Sequence, residues 1–322
     1  MTARAPIPTR TWANTRRVSP PDAAGRPALP SRRAGLRDPI QSGETEMLID
    51  FRQVCGAGAA ALALASPALA DTTNLRVCAS TKDAPFSDAQ GAGFENKIAQ
   101  VLADEMGATL DLVMLEKDAI YLVRDGIEKD LCDVLVGVDA GDERLLTTRP
   151  YYRSGYAFVT RQDRNFEGDK WQDVDQEGFD TFSYRLHSPA ETILKYTGRY
   201  EYNLIYQASL TNFEDRRNKY TQVEASRVIT EVADGGADLA IVFAPEAARY
   251  VRDSREPLRM TLITNEIERS DGVIIPLQYS QSVGVSKTHP ELLGPIEQAL
   301  QSGKARIDAI LTEEGIPLLP SS

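Results

Sequence analysis

The sequence predicts an α/β protein of two lobes, each a doubly wound, mostly parallel sheet with helices on both faces. Three observations lead to this prediction. Apolar strand patterns alternate with helical patterns, the third strand pattern is nearly continuous in apolar residues, and a polar, charged segment divides the elements into two sets. A continuous apolar strand is typical of a parallel sheet that is covered on both faces.

The first set of elements has the order β-α-β-α-β, which predicts parallel strands joined by right-handed crossovers. In the first helix the apolar residues recur at helical spacing, and Gly107 follows as a C-cap. The predicted elements are a strand at 75–80, a helix at 93–107, a strand at 109–115, a helix at 121–131 and a strand at 132–138.

The second set follows the charged connection at 162–178. Its predicted elements are a strand at 179–186, a helix at 189–198, a strand at 202–208, a helix at 225–236 and a strand at 237–244. The tail from residue 273 predicts two strands and two amphipathic helices, and we expect it to pack on the first lobe because it holds no complete sheet. This assigns 71–162 and 265–322 to lobe 1, and 163–264 to lobe 2.

The first 70 residues differ from the rest of the chain. Residues 1–46 are rich in Pro, Arg, Ala and Ser without apolar periodicity, which predicts a disordered extension upstream of the true start. Residues 47–70 match a secretory signal peptide: Arg52 precedes an apolar run at 54–65, and an A-x-A site predicts cleavage after Ala70. The run is shorter than the roughly 20 residues that a membrane span needs. We therefore expect a periplasmic protein with no membrane span.

The charge balance argues against a nucleic-acid-binding protein. The formal net charge is −11, and no cluster of Lys and Arg follows residue 52, whereas phosphate binding needs such a cluster on one face. Residues 71–322 hold 27 basic and 42 acidic residues, a net charge of −15. An acidic surface is typical of a soluble exported protein and also suits a cationic partner.

Two cysteines remain beyond the predicted signal peptide, because Cys55 lies within it. Cys78 and Cys132 form an even pair in an exported chain, where disulfides persist. In a sheet of order 2-1-3 the first and third strands are neighbours, so the two sulfurs come within bridging distance. We predict a disulfide, with two buried free thiols as the alternative.

Enzyme motifs are absent from the sequence. It contains no P-loop, no G-x-G-x-x-G and no G-x-S-x-G, and the acids at 163–177 lack EF-hand spacing. The two histidines, His187 and His289, stand apart from any metal-ligand motif. We predict no catalytic residue, no metal site and no cofactor.

Four stretches carry a resemblance to a known family, at 93–107, 130–152, 235–251 and 282–311. On these residues the chain resembles the bacterial periplasmic solute-binding proteins of the amino-acid-receptor type. The resemblance implies their type II fold, with a ligand cleft between two lobes and hinge closure on binding.

The ligand anchors of that family are only partly present here. Arg144 stands where the family has an arginine that pairs with the ligand carboxylate. The family's Gly-Thr turn is replaced by a stretch that contains Arg185 and Ser188, and Pro189 removes a backbone donor. Phe243 stands where the family has an acid that holds the ligand ammonium. We therefore expect that the chain does not work as an amino-acid receptor.

Longer stretches at 131–159, 187–203 and 210–222 resemble one branch of this superfamily, the MxaJ or MoxJ proteins of bacterial methanol oxidation. The resemblance implies a non-enzymatic periplasmic accessory protein whose partner is the PQQ-dependent methanol dehydrogenase. The sister accessory proteins of lanthanide-dependent methanol dehydrogenases are an alternative. A second alternative is a receptor for a small, anionic ligand, and a third is a chaperone that delivers a cofactor or metal.

Arg and Tyr residues cluster in two of these stretches. Both residue types are favoured at interface hot spots, although packing in the hinge or core edge explains each one equally well by itself. The predicted partner-binding residues are Arg149, Tyr151, Tyr152, Arg153, Tyr156, Arg199, Tyr200 and Tyr202.

Overall fold

The computed structural model describes residues 74–211 and 222–320. The predicted N-terminal extension, signal peptide and cleavage site lie outside these residues, as does most of the stretch at 210–222. None of the helices formed by the described residues is long and apolar enough to cross a membrane.

The strands and helices are numbered in chain order. The first half of the described chain contains β1 (Asn74–Ser80), β2 (Lys82–Asp83), β3 (Ser87–Asp88), α1 (Phe94–Met106), β4 (Thr109–Leu115), α2 (Leu122–Asp125), β5 (Val134–Asp139), β6 (Leu146–Thr147) and β7 (Tyr152–Arg161). The second half contains β8 (Phe182–Tyr184), α3 (Pro189–Tyr196), α4 (Tyr200–Ser209), α5 (Ala225–Ala233), β9 (Leu239–Phe243), α6 (Ala244–Arg252), β10 (Leu258–Leu262), β11 (Ile267–Glu268), β12 (Ile274–Ile275), β13 (Gln278–Val285), α7 (Leu293–Ser302) and α8 (Lys304–Glu313).

The main sheet has the strand order β4-β1-β5-β13-β7-β9-β8, with β6 paired to β13 and β10 paired to β7. Strands β4, β1 and β5 are parallel neighbours, which confirms the predicted 2-1-3 order. In the second lobe β8 and β9 are parallel as well. Strands β7 and β13 are the antiparallel members between the two parallel groups.

Strand β7 belongs to both lobes. Its residues 152–155 pair with β13 beside the first lobe, and its residues 156–159 pair with β9 in the second. A single ten-residue strand therefore carries the chain from one lobe to the other, which places residue 156 at the junction.

Helix α1 forms and packs as its sequence predicts. Phe94, Ile98 and Leu102 recur at helical spacing and are fully buried in the first lobe. Gly107 follows in the left-handed region, with φ of +63°, and its N–H caps the helix. Helices α7 and α8 add apolar residues to the same cluster, so the C-terminal tail packs on the first lobe. The exact lobe boundaries remain a prediction.

The disulfide between Cys78 and Cys132 is present, with 5.4 Å between the two Cα atoms. Both residues are buried at the junction of β1 and β5. Gly126 lies against the bridge, since a Cβ there would stand 2.2 Å from the Sγ atom of Cys78. Gly126 also separates α2 from a short 3₁₀ turn at 127–129, so the helix predicted at 121–131 is broken in two.

The prediction of a strand at 202–208 was wrong, because these residues belong to helix α4. Two polar residues four positions apart, Asn203 and Gln207, point inward and are buried. Asn203 accepts a hydrogen bond from the Phe182 N–H (3.0 Å) and donates one to the Phe182 C=O (2.6 Å). Gln207 donates to the C=O of Tyr184. The side chains of α4 thus satisfy the open edge of β8, a role that local apolar alternation does not reveal.

Candidate functional site

A cleft lies where the carboxyl ends of β1 and β5 face the second lobe. Its main cavity has a volume of about 520 Å³ and shares several lining residues with a second cavity of about 290 Å³. One wall comes from β1, the β2–β3 hairpin, the start of α1 and the end of β5. The other wall comes from Tyr156, residues 185–189 and the β9–α6 junction. The carboxyl ends of parallel strands are the usual place for a ligand in α/β proteins.

Three half-buried carboxyl groups line the cleft, from Asp83 on β2, Glu95 on α1 and Glu246 on α6. Burial raises the pKa of Asp83 to about 7, with Arg185 acting in the opposite direction. Burial raises the pKa of Glu95 well above its usual range, and the charge of Asp83 adds to the effect. Burial also raises the pKa of Glu246, again against Arg185. All three groups therefore hold their protons more tightly than exposed carboxyl groups do.

A glycine determines where Glu95 lies. A Cβ at Gly137 would stand 1.6 Å from Oε1 of Glu95, so only glycine lets the carboxyl group lie across β5 at this point. Gly137 also has φ of +76°, a conformation that side chains with a Cβ disfavour. The break in the apolar run of β5 therefore makes room for an acid of the cleft.

Both predicted cleft arginines are paired with carboxylates. Arg144 makes two-point contact with Asp142, with Nη2–Oδ2 of 2.6 Å and Nε–Oδ1 of 3.0 Å, and it is exposed at the cleft mouth. Arg185 lies deeper and donates to Oε1 of Glu246 at 3.0 Å. Each guanidinium in the cleft therefore already has a counter-charge. Arg144, which was expected to bind a ligand carboxylate, binds Asp142 instead.

The start of α3 also lacks a ligand anchor. Pro189 occupies the first helical turn, and Ser188 at the N-cap makes no side-chain cap bond. The Ser188 hydroxyl instead donates to the C=O of Arg185 at 2.7 Å. The backbone N–H of His187 donates to Oε1 of Glu191 at 2.9 Å. At this helix end Pro189 therefore supplies no backbone donor, and the N–H of His187 is already engaged.

Three aromatic rings form one side of the cleft, and we call Tyr156, Phe243 and Tyr279 the aromatic wall. The ring centroids are 5.8 Å apart for Tyr156–Phe243 and for Phe243–Tyr279, and 6.2 Å apart for Tyr156–Tyr279. The Phe243–Tyr279 pair is edge-to-face, with an interplanar angle of 87°. Phe243, predicted as a cleft residue, thus belongs to a packed aromatic surface.

The predicted partner-binding residues occupy different environments. Tyr152 and Tyr156 are buried, and the half-buried Tyr151 has a buried hydroxyl without a hydrogen-bond partner. Arg153 donates to Oε1 of Gln278 at 2.9 Å, and exposed Arg149 lies 3.8 Å from Glu297. In this conformation a partner can reach Arg149, whereas the tyrosines of this group serve mainly in packing.

The second group of predicted residues lies around α4. Arg199 pairs with Asp175 and Asp180, and the ring of Tyr200 lies under the Lys195 ammonium, 4.6 Å from Nζ to the ring centroid. Tyr202 is 89% exposed. Of the eight residues, Tyr202 is the most accessible aromatic side chain, and its role in partner binding remains a prediction.

One cluster outside the cleft has the donor set of a metal site. Single ligand atoms of Asp130, Asp133 and His289 lie within 4.8 Å of one another. Arg76 occupies this position, because its guanidinium contacts Asp133 and Asp130 with Nη2–Oδ1 distances of 2.5 Å and 3.1 Å. The cluster is therefore an ion-pair network around an arginine.

Sequence reasoning missed the acids of the cleft. Asp83, Glu95 and Glu246 come from three separate elements, and each looks like an ordinary surface acid in its local sequence. Glu246 had a usable signal, since it lies in the first turn of α6, three residues after Phe243, the position at which the family has its ligand acid. Ile205, which is 85% exposed on α4, was also missed because the segment was taken for a strand.

Comparison of the fold with solved structures defines the class of protein. No protein-family model matches the sequence. The ancestral cationic amino acid solute-binding protein AncCDT-1 shares the fold with a TM-score of 0.54 over 75% of this chain and 95% of its own, at 20% identity. The chain therefore has the fold of the periplasmic binding proteins.

Closer relatives identify the family within this class. The chain is 45% identical to Protein MoxJ of Methylorubrum extorquens AM1 over 258 residues, which is 80% of this chain and 86% of MoxJ. The crystal structure of MxaJ from Methlophaga aminisulfidivorans MPT is 40% identical, with a TM-score of 0.72, and covers 76% of this chain and all of its own. The periplasmic binding protein XoxJ of Methylobacterium extorquens AM1 is 27% identical, with a TM-score of 0.56, covering 76% and 99%. The chain belongs to the MoxJ/MxaJ family.

Proposed function

We propose that the protein is a non-enzymatic periplasmic accessory protein of the PQQ-dependent methanol dehydrogenase system, which binds the dehydrogenase and aids its assembly, maturation or activity. The observation that carries this proposal is the 45% identity to MoxJ over 86% of that protein's length. The sequence resemblance to the proteins of methanol oxidation supplies the functional context.

The cleft supports this proposal over a role as an amino-acid receptor. Such a receptor anchors a carboxylate with an arginine and a helix N-terminus, and an ammonium with an acid. Here Arg144 is paired with Asp142, Pro189 occupies the helix start, and Phe243 replaces the acid. A buried ammonium without a partner would cost several kcal/mol. The excess of acids in the cleft also disfavours the anionic ligand of the alternative hypothesis.

The outer surface of α4 is the region that we assign to partner binding. Asn203 and Gln207 point inward, whereas Tyr202 and Ile205 on the opposite side of α4 are 89% and 85% exposed. Leu204 is exposed as well. We call these three residues the α4 outer face. Large apolar side chains grouped on a solvent-facing helix are typical of a protein interface, and Tyr is enriched at hot spots.

Co-purification tests the proposal. A C-terminal tag is used to capture the protein from the periplasm of methanol-grown cells of its source organism, at low and moderate salt. We expect recovery of methanol dehydrogenase, and weaker recovery with salt if the acidic surface contributes to the contact. Failure to recover the dehydrogenase, together with a metabolite that raises the melting temperature, would contradict the proposal and favour a receptor.

A pair of matched variants tests the surface separately. Tyr202→Ser with Ile205→Ser removes the two most exposed apolar side chains of α4. Val273→Ser with Ile274→Ser removes two exposed apolar side chains on the β11–β12 hairpin, where both residues are 50% exposed. We expect loss of dehydrogenase recovery only for the α4 pair, with unchanged melting temperatures for both. Equal recovery with both variants would mean that the dehydrogenase binds elsewhere.

A further inference from the structure

We propose that the cleft binds a small organic cation, an alkylammonium that carries no carboxylate group. This inference concerns the cleft alone and holds whether or not the protein binds a dehydrogenase. It rests on the charges that face the cleft, on how the arginines are engaged and on the aromatic wall. The cavities, of about 520 and 290 Å³, are in the size range of small-molecule sites.

Acidic groups outnumber basic groups around the cleft. Six carboxyl groups line the two cavities, namely those of Asp83, Glu95, Asp118, Asp139, Asp142 and Glu246. Three basic side chains, those of Lys82, Arg144 and Arg185, line them together with His187. When these carboxyl groups are ionised, the cleft attracts cations and repels anions.

Each of the three basic side chains is paired with a carboxylate. Arg144 contacts Asp142 at 2.6 Å, Arg185 contacts Glu246 at 3.0 Å, and Lys82 lies 3.5 Å from Glu116. Asp83 and Glu95, in contrast, form no ion pair with any residue of the described part of the chain. A bound ammonium would give these two groups a direct ion-pair partner.

The aromatic wall suits the apolar part of such a ligand and also its charge. Tyr156, Phe243 and Tyr279 line the same cavity as Asp83 and Glu95. Ring faces attract ammonium groups, and more strongly where solvent is excluded. Phe243 stands where the amino-acid receptors have an acid, so the contact to the cation here is shared between a ring and acids on other elements.

A metal ion fits the cleft less well than an organic cation. Among residues 74–211 and 222–320, the carboxyl groups of the cleft form no group of three whose oxygens lie close enough together to hold one ion. Hard cations need several oxygen ligands in one shell. An alkylammonium does not need a shell of several oxygens. Its ammonium group can be held by one carboxylate, and its apolar chain can pack on the aromatic rings.

Proton release accompanies the binding of a cation in this geometry. Burial raises the pKa of Asp83 to about 7, and the charged groups that face it are those of Arg185, Glu246, Asp118, Glu224 and Glu95. A cation favours the ionised carboxylate, so below about pH 7 a proton has to leave before the cation is bound. Affinity for the cation therefore falls as the pH is lowered through this range.

The experiment uses the exported protein purified from the periplasm and three probes of equal length, n-butylammonium, n-butanol and n-butyrate, with tetramethylammonium and 1,4-diaminobutane as further cations. Binding is measured by calorimetry and by the shift in melting temperature at constant ionic strength. We expect saturable binding of at least one cation, no binding of butyrate, and weaker binding below about pH 7. Binding of butyrate without any cation, or of none of the probes, would overturn the inference.

Variants locate the site. Asp83→Asn should weaken cation binding roughly tenfold, as loss of one nearby charge predicts. Phe243→Leu should weaken it roughly threefold through loss of the ring contact, and it serves as the second test where Asp83→Asn fails to fold. Glu313→Gln, which removes an exposed charge on α8, should leave binding unchanged. Equal affinity in the wild type and both cleft variants would show binding elsewhere and would overturn the inference.

Discussion

Helices α1 and α4 have opposite orientations of their polar and apolar faces. Helix α1 buries Phe94, Ile98 and Leu102 and exposes polar residues such as Gln100. Helix α4 buries Asn203 and Gln207, while Tyr202 and Ile205 face solvent. The element against which a helix packs therefore decides which face of the helix turns inward. Helix α1 packs on other apolar side chains. Helix α4 packs beside strand β8, whose open edge requires hydrogen-bonding partners.

The largest expected effect concerns the buried apolar face of α1. Leu102→Ala leaves a cavity in the first lobe, so we expect a loss of about 4 kcal/mol in the free energy of unfolding. Urea unfolding followed by far-UV circular dichroism measures it. A loss below about 1 kcal/mol would mean that α1 contributes little to the core, contrary to its burial.

The next effect concerns the polar inward face of α4. Asn203→Leu removes both hydrogen bonds to Phe182 and leaves the N–H and C=O of β8 buried without partners. We expect a loss of about 3 kcal/mol, although leucine is the more apolar residue. The same urea titration measures it, and an unchanged or higher stability would show that burial outweighs the hydrogen bonds at this edge.

A third test compares the polar groups that point inward from the two helices. Those of α4 are amides. Helix α1 buries the amide of Asn96 and also turns a carboxyl group, Glu95, toward the cleft, where burial raises its pKa. Because the folded state binds this proton more tightly than the unfolded state, the native protein loses stability as the pH rises from the ordinary carboxyl pKa toward the raised one. We expect Glu95→Gln to reduce that loss.

Unfolding free energies of the wild type and of Glu95→Gln at about pH 5 and about pH 8 measure this effect. Asp83 contributes in the same direction, because its pKa is raised as well. The variant should therefore show a smaller decrease between the two pH values, but not none. An identical decrease in both proteins would contradict the raised pKa of Glu95.

The smallest effect belongs to the outer face of α4. Ile205→Ser replaces a side chain that is 85% exposed, so we expect less than about 0.5 kcal/mol of change in stability. Chemical denaturation tests this directly. A large loss would mean that Ile205 packs against another part of the chain, and the α4 outer face would no longer be available to a partner.

Much of the fold could be predicted because local pattern and global packing agree. Strands β1, β4 and β5 are apolar runs between turn signals, and their 2-1-3 order gave the neighbouring positions from which the Cys78–Cys132 disulfide followed. Prediction failed at α4, where the inward residues are polar, and at 121–131, where Gly126 lies against the disulfide. In both places a contact between residues far apart in sequence decides the local structure. The local apolar pattern gives no information about such a contact.

The candidate site was predicted only in part. Arg144, Arg185, Ser188 and Phe243 line the two cavities, and their part in ligand binding stays a prediction. The pairing of Arg144 with Asp142 is local, and the pattern D-x-R could have suggested it. The pairing of Arg185 with Glu246 spans 61 residues, and the position of Glu95 depends on a glycine in another strand.

The sequence by itself determined the alternation of strands and helices, the disulfide, and membership in the MoxJ/MxaJ family, because these depend on residue types, local periodicity and the order of elements along the chain. The tertiary structure alone decided which face of α4 is exposed, which charges neutralise the arginines, and how far burial raises the pKa values of Asp83 and Glu95. Those properties depend on distances between elements far apart in sequence, and electrostatic and hydrogen-bond energies change steeply with such distances.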